Sequence, residues 1–176
     1  MSEAVDLDET EEVEGELEGR AGRIAEMSGD RHLTFELAEQ VYGIPLERVQ
    51  EIVRVQRATP VPDLPDYIRG VINLRGTVVP VVDVRTRLGL ALREEDERTC
   101  VVVCSFRGEG IGLIVDTVCD VVEIQESNIV EAGPGHAEGT DQMLRGLHRD
   151  AEAVTILICL DRMLADDRDA DAVAAA

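Results

Sequence analysis

Four cysteines, Cys100, Cys104, Cys119 and Cys159, are the first residues to weigh as metal ligands or nucleophiles. They lie in apolar runs with no C-x-x-C pair, a setting in which a thiol packs as a small hydrophobe. His32, His136 and His148 are scattered, and none belongs to an H-E-x-x-H zinc motif, so they read as surface or turn residues. Gly108-Glu109-Gly110-Ile111-Gly112 has the glycine density of a phosphate loop. It lacks the following Lys and Ser/Thr and sits between two apolar runs rather than before a helix, so it reads as a hairpin turn. Asp116 and Asp120 are a candidate carboxylate pair, but four residues of strand separate their Cα atoms by roughly 13 Å. No partner residue for them is evident, and both read as solvated strand positions. Residue types and spacing therefore give no catalytic site, no metal site and no cofactor.

The elements around these residues read as strands. Leu33, Phe35 and Leu37 alternate with Thr34 and Glu36, the period of a half-buried strand. Val41 to Pro45 reads as a tight reversal into a short helical turn, Leu46 to Gln50, with a strand from Ile52. A loop with Pro60, Pro62 and Pro65 follows, with a helical turn at Asp66 to Ile68. The apolar runs Gly70 to Leu74 and Thr77 to Val84, joined by Arg75-Gly76, form a hairpin signal. Pro80 inside the second run demands an edge strand or a bulge. Cys100 to Phe106 and Ile111 to Val122 make a second hairpin, interrupted at Gly112 or near Asp116-Thr117. After a polar stretch come Met143 to Leu147, a turn, Val154 to Leu160, and a final helix, Arg162 to Asp167, capped by Asp161. Eight to ten short strands with frequent turns indicate an all-β barrel or sandwich.

Charge bounds the function further. The chain has 176 residues with 37 acids, 17 basic residues and a net charge of -20, and every basic residue is Arg. That balance argues against a nucleic-acid partner and against direct membrane binding, both of which rest on basic footprints. No apolar stretch approaches the ~20 residues of a membrane helix. Residues 1–30 hold 11 acids and two Arg, and 166–176 hold four acids and one Arg. These ends read as a disordered acidic tail and a frayed acidic, Ala-rich tail around a body at 31–165. Zero Lys with acidity even in the body points to a halophilic source, with Arg-favouring codons as the alternative.

One ordered set of segments is distinctive. Tyr42-Gly43-Ile44-Pro45 precedes Val49-Gln50-Glu51-Ile52. Then come Tyr67-Ile68-Arg69-Gly70-Val71-Ile72-Asn73-Leu74-Arg75-Gly76-Thr77-Val78-Val79-Pro80-Val81-Val82-Asp83, the Gly112 to Val121 run, and Leu144-Arg145-Gly146-Leu147. Residues 31–165 thereby resemble the CheW-like family of chemotaxis coupling domains, and the N-L-R-G-x-x-x-P-x-x-D segment is quite specific to it. At 176 residues the chain lacks room for a CheA kinase or a CheV-type protein with its receiver domain.

The resemblance implies two five-stranded SH3-like β-barrel subdomains packed on a shared aliphatic core, with short helical turns and a short C-terminal helix. It implies a non-catalytic adaptor bridging chemoreceptor cytoplasmic tips to the regulatory domain of the CheA kinase. A CheW-like scaffold for a different receptor–kinase pathway, in motility or development, is the alternative. The net charge of -20, with no lipid anchor or membrane span in the sequence, predicts a cytoplasmic monomer when free. Matched motif to motif, the family's receptor-contacting positions fall on Val49, Glu51, Gly70, Arg75 and Val78. Gly70 also reads as relief of backbone strain, and Val49 and Val78 as core. Arg75, at a hairpin tip, is expected to be exposed, with its planar donor fork free to grip a carboxylate or carbonyl. The kinase contact in the family falls mainly on the second barrel, where no motif in this chain is sharp enough to name residues.

Overall fold

The structure is a computed structural model, described here for residues 30–131 and 141–165. The acidic ends and His136 lie outside the described residues.

Among the described residues eleven strands form two sheets. β1 (Arg31–Leu37), β2 (Gln40–Pro45), β8 (Thr117–Glu123), β9 (Ile129–Val130), β10 (Leu144–Arg149) and β11 (Val154–Ile158) make a six-stranded sheet in the order β8-β1-β2-β11-β10-β9. β3 (Val49–Arg54), β4 (Ile68–Leu74), β5 (Thr77–Asp83), β6 (Cys100–Phe106) and β7 (Glu109–Val115) make a five-stranded sheet in the order β3-β6-β7-β5-β4. The expected pair of five-stranded units is thus a six and a five. Nor are the units successive halves of the chain, because the N-terminal hairpin β1–β2 joins the C-terminal strands.

In β6 the side chains of Cys100, Val102 and Cys104 enter the core shared by both sheets, while Val101 and Val103 enter a second cluster with Ile72, Val79, Val81 and Ile114. A strand buried on both faces needs a continuous apolar run, which is what Cys100 to Cys104 supplies. The shared core takes Leu33, Phe35, Ile44, Ile156 and Ile158 from the six-stranded sheet and Val82, Val102 and Leu113 from the other. Phe35 and Tyr42 stack there at a centroid distance of 6.3 Å.

The two sheets repeat one plan. Pairs Ile68–Val82, Gly70–Val81 and Asn73–Val78 recur as Leu144–Ile158, Gly146–Leu157 and Arg149–Val154, each residue 76 positions on, with the same register shift just before the glycine. Pairs Phe35–Tyr42 and Leu37–Gln40 recur 69 positions on as Cys104–Ile111 and Phe106–Glu109. Val49 pairs with Cys104 as Val118 pairs with Phe35, again 69 apart and with a matching shift. In each copy the chain leaving the outer strand returns to the far edge. Thr59 bridges to Val71 in one, and Val130 pairs with Leu147 in the other.

Several local expectations are corrected. Val41–Pro45 is strand, not a reversal; the reversal lies at Ala38-Glu39, where both residues take positive φ. The helical turn is a 3-10 turn at Leu46–Arg48, and the strand starts at Val49. Pro80 lies in β5, an interior strand; the register shift occurs in its neighbour β4, and the ladder to β7 begins one residue later, at Val81. A helix α1 (Val84–Arg87) follows β5, with Asp83 capping it through a bond from the Thr86 amide at 3.3 Å. The final helix α2 is Leu160–Met163, so Asp161 lies inside it rather than capping it. The strand from Ile111 is interrupted at Asp116, between β7 and β8, the second of the two places expected. His32 is buried rather than at the surface.

Candidate functional site

The β4–β5 hairpin turns through Arg75 and Gly76, at φ 51° and 85°. The Asn73 side chain accepts a bond from the Gly76 amide at 2.8 Å, which fixes this two-residue turn. Fixing the turn sets Arg75 at the tip with 77% of its side chain exposed, and its guanidinium pairs with the carboxylate of Glu51 on β3. β3 and β4 are opposite edges of the sheet, so this ion pair, like the Thr59–Val71 bridge, draws the two edges together. The other Glu51 oxygen is buried without a hydrogen-bond partner among the described residues.

Two residues past the turn, Val78 is 63% exposed, a large apolar side chain held outward in a regular strand. It lines a groove of about 570 Å³ with Val61 and Leu64 of the proline-rich connection, Ile68 and Val71 of β4, and Pro80. Leu164, just past α2, also lines it, as do Phe106 and Ile111. Arg87 ties these elements together: it stacks over Tyr67 at 4.5 Å and donates to the Met163 carbonyl at 2.8 Å. A largely apolar groove with a guanidinium–carboxylate pair on the adjoining hairpin suits an amphipathic helix, whose apolar stripe fills the groove while polar neighbours meet the pair.

The five positions matched by motif divide. Arg75 and Glu51 meet each other, and Val78 faces the groove on the same hairpin as Arg75. Val49 is buried in the shared core. Gly70 is buried at φ 139°, and a Cβ there would overlap the Thr59 carbonyl. The equivalent Gly146 is also crowded, with a Cβ position 2.6 Å from the Val130 carbonyl oxygen. The glycine is therefore needed wherever the closing strand crosses, in both copies. Val61, Leu64, Tyr67 and Leu164 went unrecognised in the sequence; the apolar side chains amid prolines were the one signal for the first two.

The candidate chemical residues also find places. Asp116 has a partner after all: Arg85 donates to it through Nε at 2.7 Å and through Nη2, and the Ala38 amide donates at 3.1 Å. Burial by itself would raise the Asp116 carboxyl, but the Arg85 and Ala38 bonds outweigh it and hold it below the ordinary range. Burial pushes the Cys104 thiol up to about 12, so it stays protonated and inert. Gly108 lies in the β6–β7 turn at φ 81°. Among the described residues no three His, Cys, Asp or Glu side chains gather as a metal site.

Residues 31–168 match the family model described as the CheW-like domain. The chain is 33% identical over 142 residues to chemotaxis protein CheW of Klebsiella aerogenes, covering 81% of this chain and 86% of that one. It is 32% identical over 146 residues to CheW of Bacillus subtilis, covering 83% and 94%. Protein FrzA of Myxococcus xanthus is 29% identical over 110 residues, covering 62% and 69%. Among solved structures, the scaffolding protein TtCheW of Thermoanaerobacter tengcongensis superposes with a TM-score of 0.68 at 31% identity, covering 76% of this chain and 86% of that one.

Proposed function

The chain belongs to the CheW-like domain family, and from that premise we propose that it is a non-catalytic chemotaxis adaptor coupling chemoreceptor cytoplasmic tips to the CheA kinase. The family match across residues 31–168 carries this reading. The groove beside Val78 supports it by supplying a surface suited to a helical receptor tip. In this reading Arg75 and Val78 contact the receptor directly, Glu51 orients Arg75, and Val49 and Gly70 shape the strands beneath. The kinase regulatory domain docks on a surface apart from this hairpin. The free protein is a cytoplasmic monomer that reaches the membrane through receptors alone; sedimentation with membranes from cells lacking receptors should recover none of it.

The test is a pair of titrations, of a receptor cytoplasmic fragment and of the kinase regulatory domain, with Arg75→Glu and Val78→Asp. Loss of a charge-assisted contact at an interface centre costs roughly 2 kcal/mol or more, about a thirtyfold loss of affinity. Exposed substitutions cost the fold about 0.5 kcal/mol or less. Receptor binding should fall at least that far while kinase binding stays put and both variants remain folded, Arg75→Glu melting somewhat lower because it sets a second carboxylate beside Glu51. Unchanged receptor affinity would remove this hairpin from the receptor site. The FrzA relationship favours one second reading, a scaffold for another receptor–kinase pathway. Failure to capture a CheA kinase and a chemoreceptor, with capture of a different kinase, would select it.

A further inference from the structure

The chain crosses between the sheets twice, at Leu46–Arg48 from β2 to β3 and at Asp116 from β7 to β8. Both crossovers use equivalent partners. Arg48 donates through Nε to the Ser105 carbonyl at 3.0 Å, and the Asp116 amide donates to the Glu36 carbonyl at 3.1 Å; these acceptors are 69 positions apart, the repeat spacing. Arg48 pairs with Asp161 of α2 at 3.0 Å, and Asp116 pairs with Arg85 of α1; these partners are 76 positions apart, again the repeat spacing. The charges are inverted: at one crossover the arginine is on the connection and the acid on the helix, and at the other the reverse.

We propose that this opposed polarity is a pairing-specificity device that keeps copies of the chain from exchanging hairpins. The threat arises from the repeat itself. Hairpins β1–β2 and β6–β7 present matching registers to an antiparallel neighbour, β8 or β3, and to a parallel one, β11 or β5. Within one chain the wrong choice is opposed by reach. If β1–β2 took the place of β6–β7 beside β3, Pro45 would have to connect to Val49 across roughly 14 Å, three residues back along the strands and two strands sideways. Four steps of chain span that distance only when fully extended, which abolishes the Leu46–Arg48 turn. Between two chains no such limit applies, and a hairpin of one copy can seat on the wrong half of another, leaving ends that recruit further copies.

Polarity opposes that assembly. Arg48 of one copy would meet Arg85 of the next, whose side chain is only 10% exposed and would have lost Asp116. In turn, Asp116 would meet Asp161. Like charges in a partly desolvated site are a repulsive element of the kind that specificity requires.

The test reverses the exposed pair with Arg48→Asp together with Asp161→Arg, which retains an ion pair at the native crossover and leaves the net charge unchanged. In an exchanged assembly the new carboxylate would face Arg85 and become attractive. Full-length protein is unfolded in urea and refolded by dilution to about 5 µM and about 200 µM, with the monomer fraction read by size-exclusion chromatography and light scattering. The wild type should return as monomer at both concentrations. The reversed variant should return as monomer at the lower one and show at least a fivefold larger oligomer fraction at the higher. A control, Arg48→Ala with Asp161→Ala, removes the pair without making exchange attractive and should behave as the wild type. Equal monomer recovery for the reversed variant would overturn the proposal, and so would matching oligomers from the control, since loss of native stability would then account for both.

Discussion

Gly70 and Gly146 are tied to the backbone rather than to any partner, because both lie where a closing segment crosses and neither has room for a Cβ. Gly70→Ala and Gly146→Ala should each lower unfolding free energy in urea by about 2–3 kcal/mol, through overpacking at both and strained φ at Gly70. Gly76→Ala, strained in φ but with open space around it, should cost about 1 kcal/mol. A Gly70→Ala protein of normal stability that fails to bind receptor would instead make Gly70 a contact. Asp116 anchors the more buried of the two crossover pairs, and removing its charge strands Arg85. Asp116→Asn should cost about 3 kcal/mol in a urea titration, while Arg48→Ala, breaking a pair whose acid is 68% exposed, should cost about 1 kcal/mol or less. His32 carries a third prediction. Its Nδ1 lies 3.1 Å from the Asp30 carbonyl oxygen, its Nε2 is buried without a partner among the described residues, and burial holds its pKa below the ordinary 6.5. The unfolded chain therefore takes up this proton at higher pH than the folded one. Stability should fall as pH drops below about 6.5 and level off once the lowered folded value is passed. The urea midpoint between pH 7.5 and 5.5 should decline less for His32→Phe than for the wild type.

At the scale of elements, what could be read in advance depended on whether a turn advertised itself. Arg75-Gly76 carries a glycine and an Asn three residues before it, so the β4–β5 hairpin and its exposed arginine were legible. The β1–β2 turn is Ala38-Glu39, two residues with no turn signature that nevertheless adopt positive φ, whereas the glycine and proline of Val41 to Pro45 advertise a reversal where the chain is strand. The helix α1 was hidden because Val84 continues the apolar run of β5, although Asp83 was there to cap it. Arg75 and Glu51 were reachable through the motif. The groove was not, because β4 and β5 meet there a proline-rich connection, the β6–β7 hairpin and Leu164, near the far end of the chain, and only tertiary packing brings these together. The hairpin tip offers its own test. Asn73→Ala deletes the bond to the Gly76 amide, which should cost about 1 kcal/mol of stability. It should also weaken receptor binding less than Arg75→Glu does, because Arg75 is still present but less well held. A larger loss than Arg75→Glu would mean that Asn73 itself touches the receptor.

Over the whole molecule, charge sets how the fold meets its solvent. The net charge is -20, and residues 1–29 hold ten acids and two arginines, so a chain beginning at Asp30 carries -12. Like charges at this density repel one another in the compact state, and the Debye length that screens them shrinks from about 10 Å at 0.1 M salt to about 3 Å at 1 M. Salt also weakens the exposed pairs Arg48–Asp161, Arg93–Asp96 and Arg145–Glu126, but exposed pairs are worth about 1 kcal/mol or less each. Relief of repulsion should win, so the melting temperature should rise steadily from 0.05 M to 1 M sodium chloride. Salt further strengthens apolar burial in any protein, and the two causes separate by deletion. The chain beginning at Asp30 loses few apolar residues, so at 1 M salt its transition should lie within about ten degrees of the full-length one. At low salt, with less repulsion to relieve, it should melt higher than the full-length chain, and its rise on adding salt should be shallower. Equal slopes for the two chains would show that the N-terminal charge is not felt by the fold. A flat response in both would remove adaptation to high salt as the reason for a chain with 37 acids and no lysine.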